Sequence, residues 1–356
     1  MRKPRLGLIA RADETGLGNQ TLELYRHLAP HKTLVVDMAH LKGNTTHADW
    51  YPGARVVRAL PDAPATILPD AVSDFLEGLD VVFTCEVPYS PVLYLRAARR
   101  GVSTVCQYNF EFLDQNDPAP TLLAAPTMWH YEDVRSPQKA LVPVPIATER
   151  WPRLPRGPVA RNFLHVAGRP AIRDRNGTLD VMKALAHVTE EVTVTFTCQD
   201  LGYLGSLIHD NHIRTPDNVT MVIQTAGYPN YWDIYRGHDV LIQPRRFGGL
   251  CLPMQEAMGA GMPVVMPDIS PNEYSLPPEW LVPATEVARI GAAENIAVYE
   301  SSTRHIASLI DRFASDPGFY SESVESVEAL AEERSWGVLR PLYDNLLSSM
   351  VQQEAV

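Results

Sequence analysis

Val240-Leu-Ile-Gln-Pro244-Arg-Arg-Phe-Gly248-Gly249-Leu250-Cys-Leu-Pro253-Met-Gln-Glu256-Ala-Met-Gly-Ala-Gly261-Met-Pro263-Val-Val-Met-Pro-Asp268 is the stretch on which the fold turns. Val240–Gln243 reads as a buried strand and Pro244–Leu250 as a glycine loop. Pro253–Ala260 reads as a helix with Glu256 in its first turn, and Pro263–Met266 as a second buried strand. A carboxylate beside such a loop can accept hydrogen bonds from a ligand's hydroxyls. The same carboxylate in a first turn would also simply complement the helix dipole.

Outward from this stretch the alternation continues. Upstream lie strands at Phe163–Ala167, Val192–Thr197 and Val219–Ile223, with helices at Thr178–Ala186 and Tyr231–Tyr235. Between the first strand and helix stand Gly168-Arg169 and then Arg173, Asp174, Arg175, Asn176 and Gly177, cations gathered before a helix start. At the carboxyl edge of a parallel strand that is where a phosphate-bearing ligand would bind, although solvated surface arginines would read alike. Residues 151–160 carry three of their neighbourhood's prolines and read as a linker, because proline ends helices and central strands. The first half repeats the pattern: strands at Leu6–Ala10, Thr33–Val36, Val81–Thr84 and Val102–Gln107, with helices at Leu22–Leu28 and Val92–Arg100. Leu141–Ile146 is a short extended piece. Gly16-Leu-Gly18-Asn-Gln20 sits between a strand and a helix, where backbone N–H groups can bind an anion or make a tight turn only. Such alternation means parallel sheets covered on both faces, so the fold class is α/β with two doubly wound, Rossmann-like domains facing a cleft. The expected boundaries are 1–150, the linker 151–160, 161–325, and a C-terminal helix within 326–356 packing back toward the N-terminal domain.

Composition narrows the function. The 356 residues are 45% hydrophobic and 21% charged, which suffices for a core without staples. The net charge of −11 falls wholly on residues 158–356, with 14 Lys+Arg against 25 Asp+Glu, while residues 1–157 balance at 17 each. Neither half is basic, which disfavours non-specific nucleic-acid binding. Cys85, Cys106, Cys198 and Cys251 are too scattered for a CxxC pair and read as buried, reduced thiols. The apolar run Leu6–Ala10 is too short for a signal sequence, and no stretch approaches 18 apolar residues, so the expectation is a cytoplasmic protein without a transmembrane segment. No Asp-x-Asp and no zinc-spaced histidine pair occurs, so no metal and no cofactor is expected; His130, His209 and His212 read as ordinary histidines. Tyr228, Tyr231, Trp232 and Tyr235 read as a helix core face that could also pack beside a base.

The opening stretch resembles the donor-binding signature of retaining GT-B glycosyltransferases, in particular family four. Pro244, Gly249, Leu252, Pro253, Glu256, Ala257, Met258, Gly261, Pro263, Val264 and Val265 match that pattern in register. Gly168-Arg169 resembles the family's Gly-Arg, Arg175-Asn176-Gly177 its Lys-Gly, Tyr235 with Asp239-Val240 its Tyr-x-x-Ala-Asp-Val, and Ser335-Trp336 its Ser-Trp. The resemblance implies a nucleotide-sugar donor on the second domain and transfer of a hexose-type sugar with retention. It implies donor contacts from Gly16, Gly18, Gly168, Arg169, Arg175, Gly248, Gly249, Leu250 and Glu256. Arg169 and Arg175 would offset charge on the leaving diphosphate, and Glu256 would hold the ribose. One departure stands out. The family's first glutamate, which faces sugar and acceptor, is Gly248 here. A family histidine is also missing, and Asn109 and Glu111 inherit its region, so both join Arg169 and Arg175 as catalytic candidates. The acceptor stays open among glycan, lipid, small molecule and a modified DNA base. A catalytically inactive nucleotide-binding module and a sugar-nucleotide epimerase of the same fold are the alternatives.

Overall fold

The computed structural model describes residues 3–40, 45–63, 65–151, 156–168, 172–225, 228, 230–291 and 295–351. The chain divides into two units, residues 1–145 with 336–356, and residues 146–335.

The first unit is a seven-stranded parallel sheet in the order β3-β2-β1-β4-β5-β6-β7. Its strands are β1 (Leu6–Arg11), β2 (Lys32–Asp37), β3 (Arg55–Arg58), β4 (Val81–Glu86), β5 (Ser103–Tyr108), β6 (Leu122–Ala125) and β7 (Lys139–Leu141). The helices are α1 (Gly16–Leu28), α2 (Pro69–Leu76) and α3 (Leu93–Ala98). β1, β4 and β5 are buried nearly throughout because helices or loops cover both faces. Thr15 caps α1 by accepting from the Gly18 N–H at 3.2 Å, and Ala29 ends it in the left-handed region at φ +46°. Phe75, Leu76 and Leu93 pack with Ile9, Val36 and Val82 on one face of the sheet.

The second unit holds a six-stranded parallel sheet in the order β10-β9-β8-β11-β12-β13. These are β8 (Asn162–Gly168), β9 (Val192–Cys198), β10 (Val219–Gln224), β11 (Val240–Ile242), β12 (Val264–Pro267) and β13 (Leu281–Val282). An antiparallel ribbon, β14 (Ala284–Ile290) with β15 (Ile296–Ser301), is added to it. Its helices are α4 (Thr178–Ala184), α5 (Leu201–Asp210), α6 (Leu252–Gly259), α7 (Thr303–Ser315) and α8 (Pro317–Glu333). The chain closes in α9 (Trp336–Ser349), which belongs to the first unit. There Tyr343, fully buried, receives a hydrogen bond from Gln107 Nε2 at 3.1 Å and donates to the Pro143 carbonyl, while Trp336 stacks on His27.

The boundary near 150 needs correcting. Ile146, Trp151 and Ala160 are core residues of the second unit, so the expected linker is in part interior. Trp151 has too much apolar surface to leave in water, and it packs edge-on against Tyr235 at 5.4 Å. The C-terminal boundary falls at Ser335/Trp336, inside the segment 326–356, so the end of α8 stays with the second unit.

One buried histidine ties the second sheet to its helix. His165 on β8 contacts the Ile242 carbonyl through Nδ1 at 2.8 Å and Thr178 Oγ1 through Nε2 at 3.0 Å. Burial holds its pKa down at about 4. Between that value and the unfolded 6.5 the unfolded chain binds more protons, so this group's contribution is complete above 6.5 and is lost as pH falls toward 4. We expect denaturant unfolding to show the second unit losing stability over that window, and His165→Gln to flatten the loss. An unchanged pH slope in the variant would refute the assignment.

Candidate functional site

In the second sheet, strand order reverses between β8 and β11. Ligands of open α/β sheets bind outside the carboxyl ends of the strands at such a switch point. Two loops leave from there, residues 168–177 after β8 and 243–251 after β11. They are joined to each other: the Arg246 N–H donates to the Arg175 carbonyl at 2.8 Å, and Gly177 lies against the Pro244 carbonyl too closely for any side chain.

The first loop carries Gly168, at φ +65°, and Arg175; Arg169 lies outside the described residues. Asn176 ties the loop to β8 through Nδ2 to the Ala167 carbonyl at 2.9 Å. Asp174 accepts from the N–H groups of Thr178 and Leu179 at 3.1 and 2.8 Å and from the Tyr203 hydroxyl at 2.7 Å. The start of α4 is therefore filled by the protein's own carboxylate, as helix polarity favours. The cations beside it, not the helix end, supply the positive field.

The second loop explains the departure at Gly248. Its φ of +116° lies where side chains are strained, and a Cβ there would collide with Nη2 of both Arg245 and Arg175. Two guanidinium groups thus occupy the place that the resemblance assigned to a carboxylate. Arg175 also stands over the Phe247 ring, its Cζ 5.1 Å from the centroid. Arg245 donates from Nη1 to the Leu250 carbonyl, while its buried Nε has no hydrogen-bond partner among the described residues. Arg246, by contrast, is structural: it pairs with Glu300 at 3.0 Å and donates to the Tyr299 and Arg173 carbonyls, fastening the loop to β15. Gly249 and Leu250 complete the loop, Gly249 buried and Leu250 supplying the carbonyl that anchors Arg245. Arg245 was missed in the sequence because a lone arginine in a loop reads as surface.

Glu256 requires a correction. α6 begins at Leu252, so Glu256 falls in its second turn, beyond the reach of the helix dipole. Its Oε2 instead accepts from the Tyr235 hydroxyl at 2.5 Å. Burial pushes the carboxyl up to about 7, against the opposing pull of the Tyr235 hydrogen bond and the Arg150 charge. A carboxyl held near neutrality by burial is the kind of group that binding and catalytic sites use, and Arg150 is the charge that acts on it. Tyr235 itself is buried on a 3₁₀ turn, Tyr231–Tyr235, rather than on an α-helix.

The remaining candidates lie in the first unit. Gly16 and Gly18 open α1, where the Gly18 and Asn19 N–H groups already bond Thr15, and Gly18 rests against the Asp13 carbonyl. Asp13 in turn receives Arg11 and Thr15. That loop is a capped turn of the first unit, whereas Arg175 and Glu256 belong to the second. Asn109 and Glu111 follow the carboxyl end of β5, where Asn109 Oδ1 accepts from the Glu111 N–H at 3.5 Å. His130 stacks on Phe110 at 4.3 Å and pairs with Asp133; His209 and His212 are exposed. All four cysteines are free and buried. No helix among the described residues is long and apolar enough to cross a membrane.

No family model and no curated protein matches the chain. Solved structures do. HepE from Anabaena, in complex with UDP, superposes with a TM-score of 0.70 at 13% identity, over 97% of this chain and 99% of that one. A glycosyltransferase from Rickettsia africae gives 0.69 at 10% identity, over 99% and 100%. Sucrose-phosphate synthase from Thermosynechococcus elongatus gives 0.64 at 14%, over 98% and 100%. At such identities the likeness is one of fold, and the fold this chain shares is that of these glycosyltransferases.

Proposed function

We propose that the protein is a GT-B glycosyltransferase that moves a sugar from a nucleotide-sugar to an acceptor held by the first unit, with retention and without a metal. The observation that carries the reading is the convergence of Arg175 and Arg245 at the switch point, with Glu256 on the helix that follows and Tyr235 bonded to it from the turn before β11. Solved neighbours of the same fold were crystallised with UDP and with UDP-glucose, which supports a nucleoside-diphosphate sugar as donor.

In this reaction the bond from the anomeric carbon to the diphosphate breaks and a bond to the acceptor oxygen forms. Negative charge grows on the leaving diphosphate, and Arg175, with Arg169, offsets it as a metal does elsewhere. Glu256 holds the ribose hydroxyls. Glu111 and Asn109 are the first unit's candidates for the group that meets the acceptor and takes its proton. A catalytically inactive nucleotide-binding module is the second reading, favoured by the missing carboxylate at Gly248.

Calorimetry and thermal shift with UDP, UDP-glucose and pyrophosphate test this directly. A ligand at a hundredfold excess over Kd stabilises by about 2.7 kcal/mol. Arg175→Ala should weaken UDP binding about tenfold or more, the worth of one charge-assisted hydrogen bond, and donor turnover should survive EDTA. No stabilisation by any nucleoside diphosphate would overturn the proposal; binding without hydrolysis or transfer would favour the inactive module.

A further inference from the structure

In a doubly wound sheet the crossovers between parallel strands are ordinarily helices that cover its faces. The first unit departs from this pattern on the side of the sheet that ends in β7. The β5–β6 and β6–β7 connections, residues 109–121 and 126–138, contain no α-helix. Pro118, Pro120, Pro126 and Pro137 keep them irregular, because proline neither donates nor fits a helix interior. A cavity of about 330 Å³ is left between these loops, α3 and the sheet. Its walls are mainly apolar, with Pro88, Pro91 and Tyr94 on one side, Leu123 below, and Phe112 and Leu113 on the other.

Size and lining match a small-molecule site, since such pockets run from about 300 Å³ upward and are mostly apolar with a few polar groups. The polar groups here are uneven in sign: Glu86, Asp114 and Asp117 against Arg135. Three carboxylates to one guanidinium repel a phosphate-bearing ligand, and an exposed carboxylate such as that of Asp117 suits a hydroxyl donor. The rim is also held in a demanding backbone. Glu86, which lines it, adopts a φ of +63°, uncommon for a side chain of that size. Backbone strain of this kind persists where the surroundings enforce it and clusters at ligand sites. Phe112 adds an apolar ring that is 57% exposed at the cavity wall.

We propose that this cavity is the acceptor site, and that the acceptor is an uncharged small molecule with an apolar body and a hydroxyl group, not nucleic acid. The ligand class follows from the cavity alone; its role as acceptor rests on the sugar-transfer reading. Phe112 and Leu113 directly follow Glu111 in sequence, so ligand binding and the candidate proton acceptor share one short segment.

The test uses the full chain and 4-methylumbelliferone, an aromatic alcohol held neutral at mildly acid pH, followed by saturation-transfer NMR. Binding should saturate in the wild type. It should weaken at least about tenfold in Ala119→Trp, which fills the cavity from an exposed loop position, and again in Phe112→Ala. UDP affinity, measured separately, should be unchanged in both variants, which also shows that they fold. Failure of the wild type to bind the probe, or undiminished binding by both variants, would overturn the proposal. Displacement of the probe by a single-stranded oligonucleotide would overturn the stated ligand class. Probe binding in a protein that ignores UDP would leave the cavity standing but sink the sugar-transfer reading and the acceptor role with it.

Discussion

Gly248→Glu, which restores the carboxylate of the family pattern, is expected to weaken UDP binding by tenfold or more instead of conferring activity. Two effects act together. A side chain at φ +116° costs roughly 1–3 kcal/mol of strain, and its Cβ would displace both guanidinium groups. The new carboxylate would then pair with Arg245 or Arg175 and cancel the charge that a diphosphate needs; each charge-assisted bond lost is worth about 1.5–3 kcal/mol. The variant Gly248→Ala separates the terms, since it carries the strain and the collision without the charge. It should lower the melting temperature by a similar amount but weaken UDP less. If Gly248→Glu binds UDP as the wild type does, the two arginines do not hold the diphosphate. On this account the glycine is coupled to Arg245 rather than being a relic of lost catalysis. A relic would tolerate the returning glutamate without loss of nucleotide binding.

The central strands were legible because each is a short apolar run bounded by turn residues, and all nine strands read in the sequence occur within a residue or two. Much of what escaped lies at edges; the interior exception is β6, whose buried run Leu-Leu-Ala-Ala has no β-branched residue to mark it. β3 reads Arg-Val-Val-Arg and is largely exposed, so it lacks the burial that marks a strand. β14 and β15 form a half-exposed ribbon whose alternation is diluted by Thr285, Glu286 and Arg289. α2 begins at a proline in a stretch that reads equally as a loop. The site divides in the same way. Arg175 and Glu256 stand in recognisable sequence patterns, whereas the approach of Arg245 to Gly248 depends on φ and on a loop conformation that no spacing encodes. Glu256 as a buried acceptor for Tyr235 was equally hidden, because that contact joins residues 21 apart and depends on tertiary packing.

Glu256→Gln is expected to stabilise the free protein above neutral pH while weakening nucleotide binding. In the folded chain the carboxyl titrates at about 7, against 4.5 when unfolded. The folded state therefore holds the proton more tightly between these values. Stability from this group is fully present below about 4.5 and is lost as pH rises through 7, where the buried charge costs on the order of 3 kcal/mol. Glutamine removes that charge and can still accept from Tyr235, but its new N–H₂ group needs a partner, which takes back about 1–2 kcal/mol. A net gain of about 1–2 kcal/mol at pH 8, reversing to a loss of about 1–2 kcal/mol near pH 4.5 where only the amide's cost is left, should appear as a higher denaturant midpoint in alkaline solution and a flatter pH profile. Binding should move the other way. Ribose hydroxyls favour an ionised acceptor, so wild-type affinity for UDP should rise with pH through 7 relative to the variant, which should bind UDP about tenfold or more weakly. Pyrophosphate has no ribose and should bind both proteins equally. Equal losses for UDP and pyrophosphate would make Glu256 a folding residue. A pH profile of stability identical in the two proteins would show that the carboxyl is not held near neutrality at all. The expected outcome, a more stable protein that holds its nucleotide less well, is the signature of a residue kept for its ligand at a cost in stability.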